Sequence, residues 1–148
     1  MLVKDGMTRR AETIGPDETL EAAARKMRAV GVGVLVVCEE GRLVGMITDR
    51  DIVVRSSAAG RNPTVSDVRS AMTPQVVHCS DEADFMEAAM LMARRAVRRV
   101  AVFDSGERLV GVLSVDDIAL VDRTLAGEVI EHSREPDRPT RPGVPLWE

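Results

Sequence analysis

The apolar positions of this chain form a pattern that occurs twice. A stripe with the spacing i, i+3, i+4, i+7 appears at two places 65 residues apart: first Leu20, Ala23, Ala24 and Met27, then Phe85, Ala88, Ala89 and Met92. This spacing predicts an amphipathic helix with one buried face in each copy. The dipeptide Met7-Thr8 recurs as Met72-Thr73 at the same offset. The chain is therefore expected to contain an internal repeat.

Each predicted helix is followed by two short apolar runs separated by a polar turn that contains glycine. The runs are residues 34–38 and 43–47 in the first copy and residues 100–103 and 109–113 in the second. Such runs are typical of buried strands joined as a hairpin. First strands are predicted at Thr13-Ile14 and at residues 76–79, and closing helices at residues 49 to about 55 and 116 to about 122. Each copy is thus predicted to be strand-helix-strand-strand-helix, which places the chain in the α/β (α+β) class.

One copy of this size buries too little surface to be comfortably stable alone, so we expect the two copies to pack as one pseudo-twofold domain. We assign residues 1–60 to the first repeat and 61–125 to the second. Residues 126–148 are assigned to the end of the last helix and a flexible tail. Prolines at every third position of that tail favour polyproline II, so a partner-binding peptide is an open alternative: Pro136, Pro139, Pro142 and Pro145.

Composition and charge narrow the classes of partner. The chain has 148 residues, a net charge of −4 and 2% aromatic residues, which argues against nucleic-acid binding. The longest apolar run is far shorter than a membrane span, and the first ten residues contain no apolar signal segment. We therefore expect a cytoplasmic protein with neither nucleic acid nor membrane as a partner. Cys38 and Cys79 are too few for a disulfide scaffold and are predicted to be reduced, buried thiols.

The strongest candidate for chemistry is a turn that both copies share. Thr48-x-x-Asp51 and Ser114-x-x-Asp117 each follow a predicted strand and open a predicted helix. Both have the outline of a capping box, which would make them purely structural. A helix start also offers free amides to a phosphate, and a carboxylate suits the two hydroxyls of a ribose. The pseudo-twofold should place the two turns at opposite ends of one cleft.

The motifs of common enzymes are absent from the sequence. It contains no Gly-x-x-x-x-Gly-Lys-Ser/Thr loop and no Gly-x-Ser-x-Gly elbow. His78 and Cys79 are adjacent on a predicted strand and would point to opposite faces. With His132 far away and no cysteine pair, a metal site is not expected. We therefore expect neither catalytic residues nor an enzyme.

Taken in order, these features resemble a CBS domain pair, or Bateman module, and in particular the small stand-alone bacterial CBS-pair proteins of the hypoxic-response type. The resemblance covers roughly residues 3–122. It depends on the two Met-Thr dipeptides, the helix stripes, residues 97–102 and the paired Gly-x-hydrophobic-Thr/Ser-x-x-Asp turns. Such a pair implies a binding site for an adenosine-containing ligand, such as AMP, ADP, ATP, NAD or S-adenosylmethionine. It also implies a homodimer, packed as a flat disc, and a regulated protein partner.

The resemblance also assigns residues to parts of the ligand. Asp51 and Asp117 become ribose candidates. The phosphate candidates are Thr48, Ser114 and the basic pair Arg98 and Arg99, with Arg50 as a partial substitute in the first copy. The adenine would lie against Thr8, Arg9, Val32 and Gly33 in one site and against Thr73, Pro74, Val97 and Arg98 in the other.

The two copies differ in charge, so unequal sites are expected. The first copy has Gly33 and Val34 where the second has Arg98 and Arg99, and the second has an additional carboxylate at Asp116. We assign the better cations to the Ser114 turn, with Arg99 as a bidentate donor to phosphate there, and the less acidic surroundings to the Thr48 turn. This leaves the two sites unranked.

Three hypotheses about function remain. The first is a soluble regulatory module that responds to an adenosyl ligand. The second is a ligand-free module for dimerisation or protein interaction. The third is a redox-responsive stress protein that acts through Cys38 and Cys79.

Overall fold

The computed structural model describes residues 1–9 and 11–133. The chain begins with a short helix α1 (Val3–Gly6) and a two-residue strand β1 (Thr8–Arg9). The first repeat follows as β2 (Thr13–Ile14), α2 (Leu20–Val30), β3 (Val34–Glu39), β4 (Arg42–Thr48) and α3 (Asp49–Asp51). The second repeat contains β5 (His78–Ser80), α4 (Phe85–Arg94), β6 (Arg99–Phe103), β7 (Leu109–Ser114) and α5 (Val115–Val121), and α6 (Arg123–His132) closes the described chain.

The predicted strand-helix-strand-strand-helix order is confirmed in both repeats. In each, the first strand pairs in parallel with the second, and the second and third form an antiparallel hairpin. The hairpins bring the start of one strand beside the end of the other, so Val34 lies opposite Thr48 and Arg99 lies opposite Ser114. Each candidate turn therefore begins beside the first residue of the other strand of its hairpin. The Thr48 turn begins beside the start of β3, and the Ser114 turn begins beside the start of β6.

The Met-Thr segments connect the repeats by crossing between sheets. Strand β1 pairs antiparallel with β7 of the second repeat, with Thr8 opposite Val112, and gives a four-stranded sheet in the order β1-β7-β6-β5. Thr73 makes the corresponding bridge to Met46 on β4 of the first repeat, whose sheet has the order β2-β3-β4. A small buried cluster of Val36, Met46 and Val112 joins the two sheets.

The two long helices begin and end as capping rules predict. The Thr19 side chain accepts a hydrogen bond from Ala22 N at the start of α2, and Gly31 ends that helix in the left-handed conformation with φ of 77°. Asp84 caps α4 in the same way through Glu87 N. Leu20, Ala23 and Met27 are buried, as predicted, whereas Ala24 is exposed.

Ala24 is exposed because the first repeat has no counterpart of helix α6, which covers the matching position in the second repeat. Helix α6 packs on α4 and α5, and its buried residues Leu125 and Val129 join the core cluster that contains Ala89. In the first repeat the chain instead continues from α3 into a π-helical turn (Ile52–Ser56) and a 3-10 turn (Ser57–Ala59). Ala24 therefore lines an open surface cavity of about 520 Å³.

The described chain ends in a helix that the sequence did not predict as a separate element. Helix α5 ends at Val121, and α6 begins at Arg123, capped by Asp122. Strand β5 lies slightly later than predicted, at His78–Ser80. The proline-rich tail lies outside the described residues.

Candidate functional site

Both hydroxyl-x-x-aspartate turns form capping boxes. Thr48 Oγ1 accepts a hydrogen bond from Asp51 N at 3.1 Å, and Asp51 Oδ2 accepts one from Thr48 N at 2.9 Å. In the second turn, Ser114 Oγ accepts from Asp117 N at 3.2 Å and Asp117 Oδ2 accepts from Ser114 N at 2.8 Å. Each box uses one carboxylate oxygen, Oδ2, so the other oxygen of each aspartate points away from its own cap.

The Ser114 turn borders a cavity of about 230 Å³, which we name the Ser114 cavity. It contains residues of both repeats. Among the predicted site residues, Thr8, Val32, Gly33, Arg99, Ser114 and Asp117 line it, and Ala11, Glu12, Val34, Val36, Val112 and Asp116 complete the wall.

The Thr48 turn borders an equivalent cavity of about 180 Å³, the Thr48 cavity. It too contains residues of both repeats. The predicted site residues along it are Thr48, Asp51, Thr73, Val97, Arg98 and Arg99, and the remaining lining residues are Met46, Gln75, Val76 and Val77. Each cavity thus combines the turn of one repeat with the Met-Thr segment and the helix-to-strand connection of the other.

Three predicted site residues line neither cavity. The Arg9 guanidinium donates a 3.2 Å hydrogen bond to the Lys4 carbonyl. Pro74 lies instead in a separate surface cavity of about 750 Å³. Arg50 is exposed, and its backbone amide donates to Asp49 Oδ1 at 2.8 Å.

The cations are distributed differently from the prediction. We assigned Arg98 and Arg99 to the Ser114 turn, but Arg98 lines only the Thr48 cavity, while Arg99 lines both. The more cationic cavity is therefore also the less acidic one, since its only acidic lining residue is Asp51. Within the described part of the chain, neither Arg98 nor Arg99 forms an ion pair, and Arg98 Nε donates a 3.3 Å hydrogen bond to Ser133 Oγ.

The sequence reasoning missed the segment that leads into the first strand of each repeat. Ala11 and Glu12 line the Ser114 cavity, and Val76 and Val77 line the Thr48 cavity. These pairs are 65 residues apart, like the Met-Thr dipeptides. The repeat offset itself was thus a signal that could have identified them.

The environment of the cysteines bears on the redox hypothesis. Burial raises the pKa of the Cys79 thiol to about 11, and it raises the pKa of Cys38 as well. A raised pKa lowers the fraction of reactive thiolate at neutral pH. Both cysteines are free and partly buried. These properties are those of structural thiols and do not favour a redox switch.

The described residues contain neither a metal-binding cluster nor a membrane-spanning helix. No group of three or more His, Cys, Asp or Glu side chains in residues 1–9 and 11–133 is placed to hold a metal ion. None of the helices in this part of the chain has both the length and the apolar character needed to cross a bilayer.

Comparison with known proteins identifies the family. The family model described as "CBS domain" matches residues 3–57 and again residues 65–123. The CBS domain-containing protein YhcV of Bacillus subtilis is 36% identical over 118 residues, which is 80% of this chain and 83% of that protein. Hypoxic response protein 1 of Mycobacterium tuberculosis is 38% identical over 117 residues, or 78% of this chain and 81% of its own length.

Solved structures agree with this family. The crystal structure of hypoxic response protein I with two coordinated zinc ions has a TM-score of 0.70 at 36% identity and covers 81% of this chain and 98% of that one. The CBS domain pair of protein MJ0100, in complex with 5'-methylthioadenosine and S-adenosyl-L-methionine, has a TM-score of 0.71 at 26% identity and covers 84% of this chain and 97% of its own. The chain therefore belongs to the CBS domain family, and its two repeats form a CBS pair, a regulatory module.

Proposed function

We propose that this chain is a sensor that binds an adenosine-containing ligand in the cleft between its repeats, and that a phosphate-bearing ligand binds in the Thr48 cavity. The observation that carries the proposal is the meeting of Asp51, Arg98 and Arg99 in one cavity lined by both repeats. The structure with 5'-methylthioadenosine and S-adenosylmethionine supports the adenosyl class of ligand in a related pair.

The chemistry of the Thr48 cavity suits a ribose and a phosphate together. Asp51 Oδ1 lies outside the capping box, and its nearest cation is Arg55 Nε at 3.8 Å. With its side chain only 15% exposed, this oxygen is a partly desolvated acceptor for the ribose hydroxyls. The two guanidinium groups can bind phosphate oxygens in a bidentate manner.

The size of the cavity limits how the ligand sits. At about 180 Å³ it is smaller than the roughly 300–1,000 Å³ of typical ligand pockets. We therefore expect part of the ligand to project into the open cleft. Such a ligand would hold the two repeats together, and this ordering is how binding would alter contacts with a regulated protein. The proposal needs no catalytic step, and we propose that the chain is not an enzyme.

Isothermal titration calorimetry with AMP, ADP, ATP, NAD and S-adenosylmethionine tests this function. We expect at least one of these ligands to bind, and we expect Asp51→Asn and Arg98→Ala to weaken a phosphate-bearing ligand about tenfold, the loss of one charge-assisted contact. Asp84→Asn and Arg95→Ala are matched controls, because Asp84 caps α4 and Arg95 is an exposed arginine, and neither lines the two cavities.

The outcomes separate the function from its location. If none of the five ligands gives heat at high-micromolar concentration, the proposed function is wrong. If a phosphate-bearing ligand binds but Asp51→Asn and Arg98→Ala leave its affinity unchanged, the assignment to the Thr48 cavity is wrong and the sensor function stands.

We propose homodimerisation as a second property, favoured by apolar side chains exposed at equivalent ends of the repeats. Val54 is 50% exposed, and Leu120, at the matching position of the second repeat, is 88% exposed. We propose that these two side chains belong to a contact surface between two copies of the chain. We expect Leu120→Asp to shift the mass measured by light scattering from dimer to monomer. Val65→Asp should leave the mass unchanged, because Val65, although 79% exposed, lies in the connection between the 3-10 turn (Ser57–Ala59) and β5 and not at a matched end of either repeat.

A further inference from the structure

The first repeat has an open groove where the second repeat has helix α6. It is the surface cavity of about 520 Å³ that Ala24 lines, and we name it the α2 groove. Its lining includes three apolar residues and three arginines: Leu20, Ala24, Ile52, Arg25, Arg28 and Arg61. No lining residue of the groove also lines the Thr48 cavity or the Ser114 cavity. The groove is therefore separate from both proposed ligand sites.

The apolar lining of the groove matches a surface that is covered in the second repeat. At the repeat offsets of 65 and 66 residues, the counterparts of Leu20, Ala24 and Ile52 are Phe85, Ala89 and Ile118. These three counterparts belong to the buried cluster that Leu125 and Val129 of α6 complete. In the first repeat, Ala24 is exposed and Ile52 is only partly buried. An apolar surface that a helix covers in one repeat is thus left open in the other.

The first repeat does not continue into a covering helix of its own. Where the second repeat enters α6, the first forms the 3-10 turn Ser57–Ala59, which ends at Gly60 in the left-handed conformation with φ of 70°. The chain then crosses the start of α2, where the amide of Glu21 donates a 3.1 Å hydrogen bond to the carbonyl of Pro63. Ala24 lies one turn further along α2 and stays exposed. The crossing segment therefore covers only the first turn of this face.

The α2 groove is positively charged. Glu21 is its only acidic lining residue, and Glu21 Oε1 lies 2.9 Å from Arg25 Nη2, so these two charges balance. Arg28 and Arg61 form no ion pair within residues 1–9 and 11–133. Two arginines without a partner in the described chain thus line an apolar groove, in a protein whose net charge is −4.

We propose that the α2 groove binds an amphipathic helix of a partner protein, in which small and apolar side chains form a stripe with acidic side chains beside it. The stripe follows from α6, which buries Leu125, Ala126 and Val129 on the matching surface of the second repeat. The acidic side chains follow from Arg28 and Arg61, because opposite charges favour one partner over others. Burial of the stripe supplies the affinity, as in other helices that bind in grooves.

The difference between the two repeats explains why the partner helix must be more acidic than α6. The counterpart of Arg28 is Ala93, which is buried in the cluster that α6 completes. Helix α6 therefore meets an uncharged residue at the position where a partner of the first repeat would meet a guanidinium group. The inference goes beyond the proposed function and does not depend on it, because the groove shares no lining residue with the ligand cavities.

Two occupants from this protein itself fit the groove less well. Residues 134–148 contain three arginines and three acidic residues, so they carry no net charge to complement the groove. A second copy would use Val54 and Leu120, the proposed contact residues of the homodimer, and neither of them lines the groove. The chemistry of the groove therefore favours a partner protein.

A peptide derived from α6 is the probe. It comprises residues 122–133 with Gly127→Ala, which raises helix propensity, and with Arg123→Glu, which adds an acidic residue at an exposed position of α6. Fluorescence anisotropy of the labelled peptide measures its affinity for the full chain. A scrambled peptide of the same composition keeps the charge but loses the apolar stripe. We expect the α6 peptide to bind about tenfold or more tightly than the scrambled peptide, because only its stripe can be buried.

Two variants test whether the peptide binds in the groove. Ala24→Glu should weaken binding about tenfold or more, because it places an unpaired carboxylate beneath an acidic helix. Arg28→Glu should weaken it about fivefold, the effect of losing one exposed ion pair. Arg94→Glu is the matched control and should leave binding unchanged, because Arg94 is an exposed arginine of α4 that lines none of the four cavities. Unchanged urea midpoints check that all three variants are folded.

Four results would overturn the inference. The first two are equal affinity for the α6 and scrambled peptides, and unchanged binding of the α6 peptide to both folded groove variants. The third is tighter binding of a peptide of residues 134–148, which would make the tail the occupant. The fourth is a change from dimer to monomer in Ala24→Glu by light scattering, which would make a second copy the occupant. All four leave the proposed function standing, because the calorimetric titrations address other cavities.

Discussion

Thr8 Oγ1 donates a 2.9 Å hydrogen bond to Asp117 Oδ1 across 109 residues of chain. The equivalent pair in the other cavity is Thr73 and Asp51, and within the described residues their side chains are not hydrogen-bonded to each other. Of the two capping aspartates, only Asp117 accepts a hydrogen bond from the Met-Thr segment of the other repeat. A ligand ribose would find Asp51 Oδ1 more available than Asp117 Oδ1.

Thr8→Val should destabilise the fold more than Thr73→Val. The first change removes a hydrogen bond to a carboxylate and should lower the free energy of unfolding by about 1 kcal/mol. The second removes a hydroxyl that forms no hydrogen bond to Asp51 among the described residues, and it should change the free energy of unfolding by less than about 0.5 kcal/mol. Urea denaturation measures both, and an equal effect of the two changes would show that the Thr8 bond does not contribute to stability.

Gly111→Ala and Gly45→Ala should each destabilise the protein by about 1–3 kcal/mol, because a Cβ would overlap the crossing segment. At Gly111 it would lie 2.5 Å from the Thr8 carbonyl oxygen, and at Gly45 it would lie 2.8 Å from the Thr73 carbonyl oxygen.

Gly127→Ala is the matched control for these glycines. Beyond its chain neighbours and the backbone of its own helix, no atom of the described residues lies within 4 Å of its added Cβ, and the residue is inside helix α6. This change should stabilise the protein by up to about 1 kcal/mol through helix propensity. If all three variants had the same urea midpoint, the close approach of the crossing segments would be contradicted.

The Cys79 thiol should react slowly with iodoacetamide in the folded protein. With its pKa raised to about 11 by burial, its thiolate fraction at pH 8 is about tenfold or more below that of an unfolded thiol. Peptide mapping by mass spectrometry compares the folded chain with the urea-unfolded chain. Equal rates in the two states would contradict the raised pKa.

The same pKa predicts how stability changes at alkaline pH. The folded-state pKa lies above the ordinary value of 9.0, so the unfolded thiol loses its proton first as the pH rises. The stabilisation is fully present below pH 9 and is lost as the pH approaches about 11. Cys79→Ala should remove this component, so its unfolding free energy should fall less steeply than that of the parent over this range.

The spacing of apolar residues in the two repeats predicted most helices and strands, because buried positions in these elements are occupied by apolar residues. Stripes at helical spacing and short apolar runs identified α2, α4 and both hairpins. Helix α6 was not recognised as a separate helix, although Leu125, Ala126, Val129 and Ile130 have helical spacing. It has no counterpart in the first repeat, so the comparison of the two copies could not reveal it.

The pairing of side chains across the repeats could be predicted only in part. The repeat offset brought most of the right residues into two groups, but it could not tell which cavity each arginine faces. Arg98 and Arg99 are neighbours at the start of β6. Only the folded structure shows that Arg98 lines the Thr48 cavity. The direction of a side chain at a strand end depends on the opposite sheet, which no local pattern describes.

Helix α6 makes the two repeats respond differently to the same substitution. Ala89 is buried in the cluster that α6 completes, whereas Ala24 is exposed at the matching position. Ala89→Glu should lower the free energy of unfolding by about 3 kcal/mol or more, because it buries an unpaired charge. Ala24→Glu should change it by less than about 0.5 kcal/mol. Chemical denaturation measures both, and similar losses would contradict the packing of α6.

The crossing of Met7-Thr8 and Met72-Thr73 between sheets has a consequence for how the molecule folds. Thr8 pairs with Val112 near the far end of the described chain, so the edge strand of the second sheet is added only when both ends of the chain meet. Contacts this distant in sequence slow folding. A fragment that begins after β1 would leave strand β7 with an open edge, a known route to aggregation. We therefore expect the two repeats, although copies in sequence, to unfold as a single cooperative unit.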